Sequence, residues 1–238
     1  QIKQTQESDL LAAKFAMPRW DLNPVLRARA AAELQYESYS TSPQGVLNRD
    51  LKFLQRNRDP RYHTPTPAEI EKTTPQKFRK VWEEALGRGP IEVQIYGDFD
   101  RARTIEALQR TFGALAARKP LSKPRSPAAK PRSPNGETII LSHRGDDDQA
   151  AAVVSWPTGG GSVAVSESRE LEILTQLFTN RLMDRMREKT GASYAPQVYS
   201  TWPLDSTTGG AITALATLQP ATVPVFFQTA REIAADLI

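Results

Sequence analysis

One stretch, KPLSKPRSPAAKPRSPNG at residues 119–136, constrains the fold more than any other part of the 238-residue sequence. It contains five prolines and the tetrapeptide PRSP twice. Because proline has a fixed φ and no backbone N–H, such a stretch does not fit a helix interior or a central strand. It favours an extended, solvated chain that acts as a semi-rigid tether rather than a docking motif. We therefore predict two lobes, residues 1–118 and 137–238, joined by a linker at 119–136.

The positive charge of the chain is concentrated in that linker. The formal net charge is +4, but residues 119–136 hold five basic side chains and no acidic one. The rest of the chain carries 26 basic and 27 acidic side chains. A nucleic-acid groove needs its charge on the folded surface, among aromatic residues, so no nucleic-acid partner is expected. The sequence contains no apolar run long enough to predict a membrane span, and zero cysteines exclude disulfides and thiolate metal sites.

The first lobe has a mostly helical pattern. Four of its helix starts combine a side-chain cap with a following proline: Asn23-Pro24, Ser42-Pro43, Thr66-Pro67 and Thr74-Pro75. Asp100 is expected to cap a further helix. Two helical apolar stripes are predicted. The first consists of Phe78, Val81, Trp82 and Leu86, and the second, the core stripe of the next helix, consists of Ile105, Leu108, Phe112 and Leu115.

Residues 91–95 alternate between apolar and polar side chains, which predicts a strand with one buried face. One strand is too few for a sheet. The first lobe is therefore interpreted as the back part of an α+β domain whose opening strands are missing.

The second lobe has the pattern ββαββα. Strands are predicted at 138–143, 149–156, 194–202 and 210–218, with a turn at 144–148. A long helix is predicted at 167–189, with an apolar residue every three or four positions, and a second helix runs to the last residue. Because that helix has no stop signal, this lobe is interpreted as truncated at its C-terminal side. The fold class predicted for the whole chain is α+β, with antiparallel sheet and helices on one face.

The run REKTGASY joins the long helix to the next strand. Arg187 lies in the last helical turn, and Gly191 permits the chain reversal that would bring Tyr194 to the same place. Two long polar side chains at such a junction are a plausible anchor for a peptide carbonyl. The alternative is structural, because basic residues commonly oppose the helix dipole and tyrosines are common in strands.

Several segments of the sequence resemble those of a known protein family. LMDRMREKTGASY at 182–194 is similar to the signature R-E-K-x-G-x-x-Y of the pitrilysin/insulysin family. These are the inverted-zincin metallopeptidases, which include the mitochondrial processing peptidases. IEVQIYGDFD at 91–100, TFGAL at 111–115 and QAAAVVSWP at 149–157 are similar to family segments in the same order. The likeness covers roughly residues 42–238.

The resemblance implies a zinc peptidase, yet this chain lacks the zinc motif. The family holds zinc with H-x-x-E-H and a distal glutamate. The two histidines, His63 and His143, are far apart and belong to no such motif. Glu33 and Glu37 are comparable with the distal glutamate but receive no metal role. No catalytic or metal-binding residue is therefore assigned in this chain.

The resemblance further implies two halves that close around a chamber, one with zinc and one without. The zinc-less half supplies an arginine and a tyrosine to the substrate, positions that match Arg187 and Tyr194. Residues 61–74 depart from the pattern of the zinc half, which favours the zinc-less C-terminal half. We expect a fragment that contributes substrate binding and transition-state stabilisation to peptide hydrolysis but is inactive alone.

The expected partners are a peptide substrate and a zinc-bearing half, in the same or a partner chain. No cofactor is expected in this chain itself, and the expected location is the bacterial periplasm or cell envelope. The alternative interpretation is a catalytically inactive peptide-binding or assembly subunit with the same fold.

Overall fold

The computed structural model describes residues 2–120, 131–191 and 195–237, excepting the side chains of residues 2–7 and 85. The helices are α1 (Ile2–Ala16), α2 (Leu22–Ser38), α3 (Pro43–Leu54), α4 (Pro67–Glu71), α5 (Pro75–Leu86), α6 (Arg101–Arg110), α7 (Val165–Thr190) and α8 (Val223–Asp236). The strands are β1 (Ala150–Gly159), β2 (Gln197–Thr201) and β3 (Thr208–Leu218). The predicted α+β class is confirmed.

The chain divides into two compact units. The first comprises Gln1–Ala31 and Ala68–Pro127, and the second comprises Ala32–Pro67 and Ala128–Ile238. The second unit thus includes residues 32–67, a contribution that composition did not indicate. The lobe boundaries inferred from the prolines stay a prediction.

Side-chain caps start several helices as predicted. Ser42 Oγ accepts from the Gly45 backbone N–H at 3.0 Å, and Thr74 Oγ1 accepts from that of Lys77 at 3.2 Å. Asp100 Oδ1 accepts from the Arg103 N–H at 3.0 Å. The predicted start at Asn23-Pro24 is wrong, because α2 begins at Leu22 and takes both residues into its first turn. A proline is tolerated there, since the first-turn N–H groups have no partner within the helix.

In the first unit, the predicted core stripe of α6 is wrong at Ile105, which is 44% exposed, and the apolar stripe of α5 is also partly open to solvent. Phe78 and Val81 are 49% and 64% exposed. Trp20, Phe78 and Trp82 instead form a small ring cluster, with centroids 5.7–6.4 Å apart. Helical periodicity identified the apolar face correctly, but a face is buried only where another element covers it.

The predicted strand at 91–95 is also wrong. These residues belong to no strand, and Val93 is exposed. An alternating pattern becomes a strand only when a neighbouring strand supplies the ladder of hydrogen bonds. The described part of the first unit contains no such strand.

The second unit is built on a three-stranded antiparallel sheet in the order β1-β3-β2. Helices α7 and α8 pack on one face of this sheet and enclose the main core. The core residues Phe178, Leu182, Met186, Phe226 and Ile233 are at most 3% exposed. They contact the alternate residues of β3 from Ile212 to Leu218, because side chains of period two share one face. The apolar stripe of the long helix is confirmed.

The opposite face of the sheet carries a row of three hydroxyl groups. Ser155 and Tyr199 both pair in register with Thr213 on the central strand. Gln55, which caps the end of α3, donates from Nε2 to Ser155 Oγ and Thr213 Oγ1, each at 2.8 Å. Burial raises the pKa of Tyr199, and a hydrogen bond with Thr213 opposes that shift. Helix α3 is thereby attached to the face that α7 and α8 leave open.

The described part of the predicted second lobe, residues 137–238, has one strand fewer than predicted, so its order is βαββα. Residues 138–143 belong to no strand, and Ile140 is 89% exposed. The segment has a strand-like composition, but β1 pairs with β3 alone among the described strands. The predicted turn at 144–148 does precede β1.

Most of the predicted linker, residues 121–130, lies outside the described residues. Its two flanks are bonded within their own units. Lys119 O accepts from the Gly89 N–H at 2.8 Å in the first unit. In the second, Thr208 Oγ1 donates to Pro131 O at 3.2 Å. The tether itself stays a prediction.

Candidate functional site

The candidate site lies at the C-terminal end of α7. Four residues anchor this helix to the core along one stripe: Thr175, Phe178, Leu182 and Met186. Glu167 lies in the first turn, and Arg187 and Lys189 lie in the last. Both placements complement the helix dipole. The core therefore positions the helix, and its final turn extends past the last buried residue, Met186.

Gly191 ends α7 in the left-handed conformation, with φ 66° and ψ 0°. Its N–H donates to Arg187 O at 2.9 Å and so satisfies a carbonyl that the helix leaves open. A residue with a Cβ is disfavoured at this φ, which explains glycine here. The predicted chain break at Gly191 is confirmed.

Arg187 projects into solvent. Its side chain is 56% exposed, and its Nη1 lies 3.6 Å from Asp184 Oδ1, on a carboxylate that is 64% exposed. Such an ion pair contributes little to stability and does not occupy the guanidinium, which has five N–H donors. The side chain is therefore available to bind an acceptor.

Tyr194, the second predicted site residue, lies outside the described residues. The chain is described again from residue 195, and β2 begins at Gln197. The convergence of Arg187 and Tyr194 on one point thus stays a prediction.

A set of contacts that the sequence analysis missed holds the other side of the helix end. Arg185 Nη2 lies 2.7 Å from Asp236 Oδ2 on α8. Lys189 Nζ donates to Glu232 Oε2 at 2.8 Å and to the buried Thr229 Oγ1 at 3.3 Å. Bonding to Lys189 holds the pKa of Glu232 below its ordinary value, and Gln228 also contributes. The signal in the sequence was a pair of basic residues four apart on one helix and a pair of acidic residues four apart on the other.

The residues that the structure describes do not fit a zinc site. His143 Nδ1 accepts from the Gly145 N–H at 3.1 Å, and its Nε2 lies 2.9 Å from Gln149 O, so both ring nitrogens serve the local turn. The His63 ring packs edge-on against Phe53. Glu37 lies 3.6 Å from Arg144 on the surface. Within the described ranges, no three His, Asp or Glu side chains are grouped as a metal would require.

Comparison with known proteins identifies the family. Residues 72–238 match the family model described as the peptidase M16 inactive domain. This match covers more than half of the chain, so the chain belongs to the peptidase M16 family, as part of its inactive domain. The resemblance inferred from the sequence is confirmed.

Several solved structures share the fold of this chain. The peptidase M16 inactive domain from Pseudomonas fluorescens superposes with a TM-score of 0.70 at 15% identity, over 97% of this chain and 55% of that one. The ferredoxin protease FusC, in complex with Arabidopsis ferredoxin, gives 0.66 at 13% identity, over 99% and 25%. The periplasmic protease PqqL from Escherichia coli gives 0.59 at 13% identity, over 92% and 24%.

These likenesses show the fold alone, because all the identities are low. The chain spans about a quarter of FusC and PqqL and about half of the Pseudomonas domain. No curated protein matches the sequence. Among the described helices, none is long and apolar enough to cross a membrane.

Proposed function

We propose that this chain is part of the non-catalytic half of an M16 metallopeptidase and contributes to binding the substrate and stabilising the transition state. The observation that carries the proposal is the placement of Arg187. Its guanidinium is exposed at the end of a core-anchored helix, beside a turn that only glycine adopts readily. A rigid helix end with a solvent-facing donor is suited to hold an external acceptor.

Arg187 would donate hydrogen bonds to a carbonyl oxygen of the bound peptide, with Tyr194 as a second donor. The same donors would stabilise the negative charge that develops on that oxygen during hydrolysis. A donor aimed at developing charge in a water-excluded site contributes roughly 3 kcal/mol. The hydrolytic zinc, with its ligands, belongs to the other half in this proposal, because the residues here do not fit a metal site.

The partners follow from the same proposal. They are a peptide substrate and a zinc-bearing half, in the same polypeptide or a separate one. FusC, which shares the fold, binds a protein, ferredoxin. PqqL, which also shares the fold, is periplasmic, and this supports the periplasm or cell envelope as the location. Fractionation of cells that express the complete protein tests the location, and recovery with the cytoplasmic fraction would contradict it.

The proposal is tested by kinetics of the complete protein, with the zinc-bearing half present. Arg187→Ala or Tyr194→Phe is expected to lower kcat/KM roughly ten- to a thousandfold, as loss of a donor to the transition state does. The melting temperature should change little, because Arg187 fills no part of the core. Arg181→Ala is the matched control, since it removes an exposed arginine from the same helix without touching the junction.

The competing structural role makes the opposite prediction. A lower melting temperature with normal turnover of the folded fraction would mean that Arg187 only caps the helix. Peptide binding without turnover in the complete wild-type protein would instead identify a peptide-binding subunit of the same fold.

A further inference from the structure

The end of α7 is held from one side by two ion pairs. Arg185 pairs with Asp236, and one turn later Lys189 pairs with Glu232. Both partners lie on α8, and both contacts are short, at 2.7 and 2.8 Å. Lys189 also reaches Thr229, which is fully buried beneath it. We call Lys189, Glu232 and Thr229 the clamp.

Helix geometry places Arg187 on the side opposite the clamp. Each residue of an α-helix advances about 100° around the axis. Arg187 lies two residues after Arg185 and two before Lys189, so it points about 160–200° away from both. Fixing Arg185 and Lys189 against α8 therefore directs Arg187 away from α8.

The clamp holds the part of α7 that lies beyond the buried core. Met186 is the last buried apolar residue of α7, with 1% exposure. Lys189 lies beyond it and two residues before Gly191, where the chain turns. Its bonds to α8 are thus a tertiary contact of the final turn, close to the start of the segment that contains Tyr194.

The expected contribution of the clamp is orientation rather than stability. Lys189 and Glu232 are 37% and 40% exposed, and ion pairs of that kind add little to the free energy of folding. Their effect on geometry is larger, because misplacing a reacting group by about 1 Å can lower a rate about a hundredfold.

We propose that Lys189 is a positioning residue that orients Arg187 through its contacts with Glu232 and Thr229. The catalytic part of this inference rests on the proposed function of Arg187. The orienting part does not, and the two are tested separately.

The orienting part is tested with a spin label. The chain has no cysteine, so Arg187→Cys accepts a single nitroxide. Adding Lys189→Ala is expected to shorten the rotational correlation time of the label at position 187. Gln176→Cys is the matched control, because it is exposed on nearly the same side of α7 three turns earlier and should not respond. An unchanged spectrum at position 187 overturns the proposal.

Variants that restore the contact between positions 189 and 232 distinguish loss of the clamp from a general loosening of the helix. Lys189→Arg keeps a donor within reach of Glu232 and is expected to restore the slow motion of the label. Exchange of the charges, with Lys189→Glu and Glu232→Lys together, should also restore it in part. Equal mobilisation at positions 176 and 187 would show loosening of the whole helix and would overturn the positioning role.

The catalytic part is tested by a double-mutant cycle in the complete peptidase. Lys189→Ala is expected to lower kcat/KM roughly ten- to a hundredfold. In the Arg187→Ala background the same change should cost almost nothing, because the group it positions is gone. Equal losses in both backgrounds would show that Lys189 does not act through Arg187.

Failure of the proposed function of Arg187 and failure of the orienting role of Lys189 give different results. If Arg187→Ala leaves turnover unchanged, the proposed function is wrong, while the label still decides whether the clamp orients position 187.

Discussion

At the scale of single residues, glycine is required at position 191 by its backbone conformation and not by a lack of space for a side chain. A Cβ placed on Gly191 would meet no atom within 4 Å, yet φ is +66°. Gly210 shows the reverse case. Its φ is not positive, but a Cβ there would collide with the backbone of both neighbouring strands, at Gly159 and Thr201. One glycine is required by its own dihedral angle, and the other by the close approach of strands.

Gly191→Ala is expected to destabilise the chain by roughly 1–2 kcal/mol, the cost of a left-handed conformation for a residue with a Cβ. Gly191→Asn should cost less, because asparagine tolerates this conformation better. Urea unfolding monitored by circular dichroism measures both. Gly113→Ala is the control, since Gly113 has no positive φ and its Cβ would make ordinary contacts. Equal costs at the two glycines would contradict the assignment of strain to φ.

At the scale of elements, helices were predicted well and strands unevenly. Cap residues such as Ser42 and Asp100 bond to a backbone group three residues away, so the signal and its partner lie together in the sequence. Strand formation at 91–95 and 138–143 depended on partners that the described structure does not place there. The contact of Gln55 with the row of hydroxyl groups could not be predicted from the sequence either, because Gln55 and Ser155 are one hundred residues apart.

Gln55→Ala is expected to lower the free energy of unfolding by about 1–3 kcal/mol, because it removes the amide donor shared by the partly buried Ser155 hydroxyl and the fully buried Thr213 hydroxyl. Gln44→Ala is the matched control on the same helix. Among the described residues its amide bonds only to the exposed Asn48, so a change within about 0.5 kcal/mol is expected. Denaturant titration measures both variants. A small effect of Gln55→Ala would mean that Ser155 and Thr213, 3.1 Å apart, satisfy each other.

At the scale of the whole molecule, the family uses metal-dependent chemistry, but the described residues of this chain do not form a metal site. The family is one of metallopeptidases, but the histidines here are engaged in a turn and in an aromatic contact. The chain also corresponds to only part of the similar proteases in length. Under the proposed function, peptide hydrolysis requires an assembly with the zinc-bearing half.

The purified chain is expected to hold no stoichiometric zinc and to cleave no peptide by itself. The reason is the missing ligand set, since a zinc site needs three or four suitably placed protein ligands. Elemental analysis after dialysis, together with a fluorogenic peptide assay, measures both properties, and the zinc-bearing half assayed in parallel is the positive control. About one zinc per chain with chelator-sensitive cleavage would contradict the prediction.

The sequence alone determined what depends on near neighbours in the chain. The caps of α3 and α5, the apolar stripe of α7, the turn at Gly191 and the family signature around Arg187 were all legible because their interactions span a few residues. Tertiary structure decided which apolar faces are covered, which strands pair, and that Lys189 meets Glu232, 43 residues away. Those outcomes depend on how separate elements pack. A local pattern shows that a face or a charge is available but does not identify its partner.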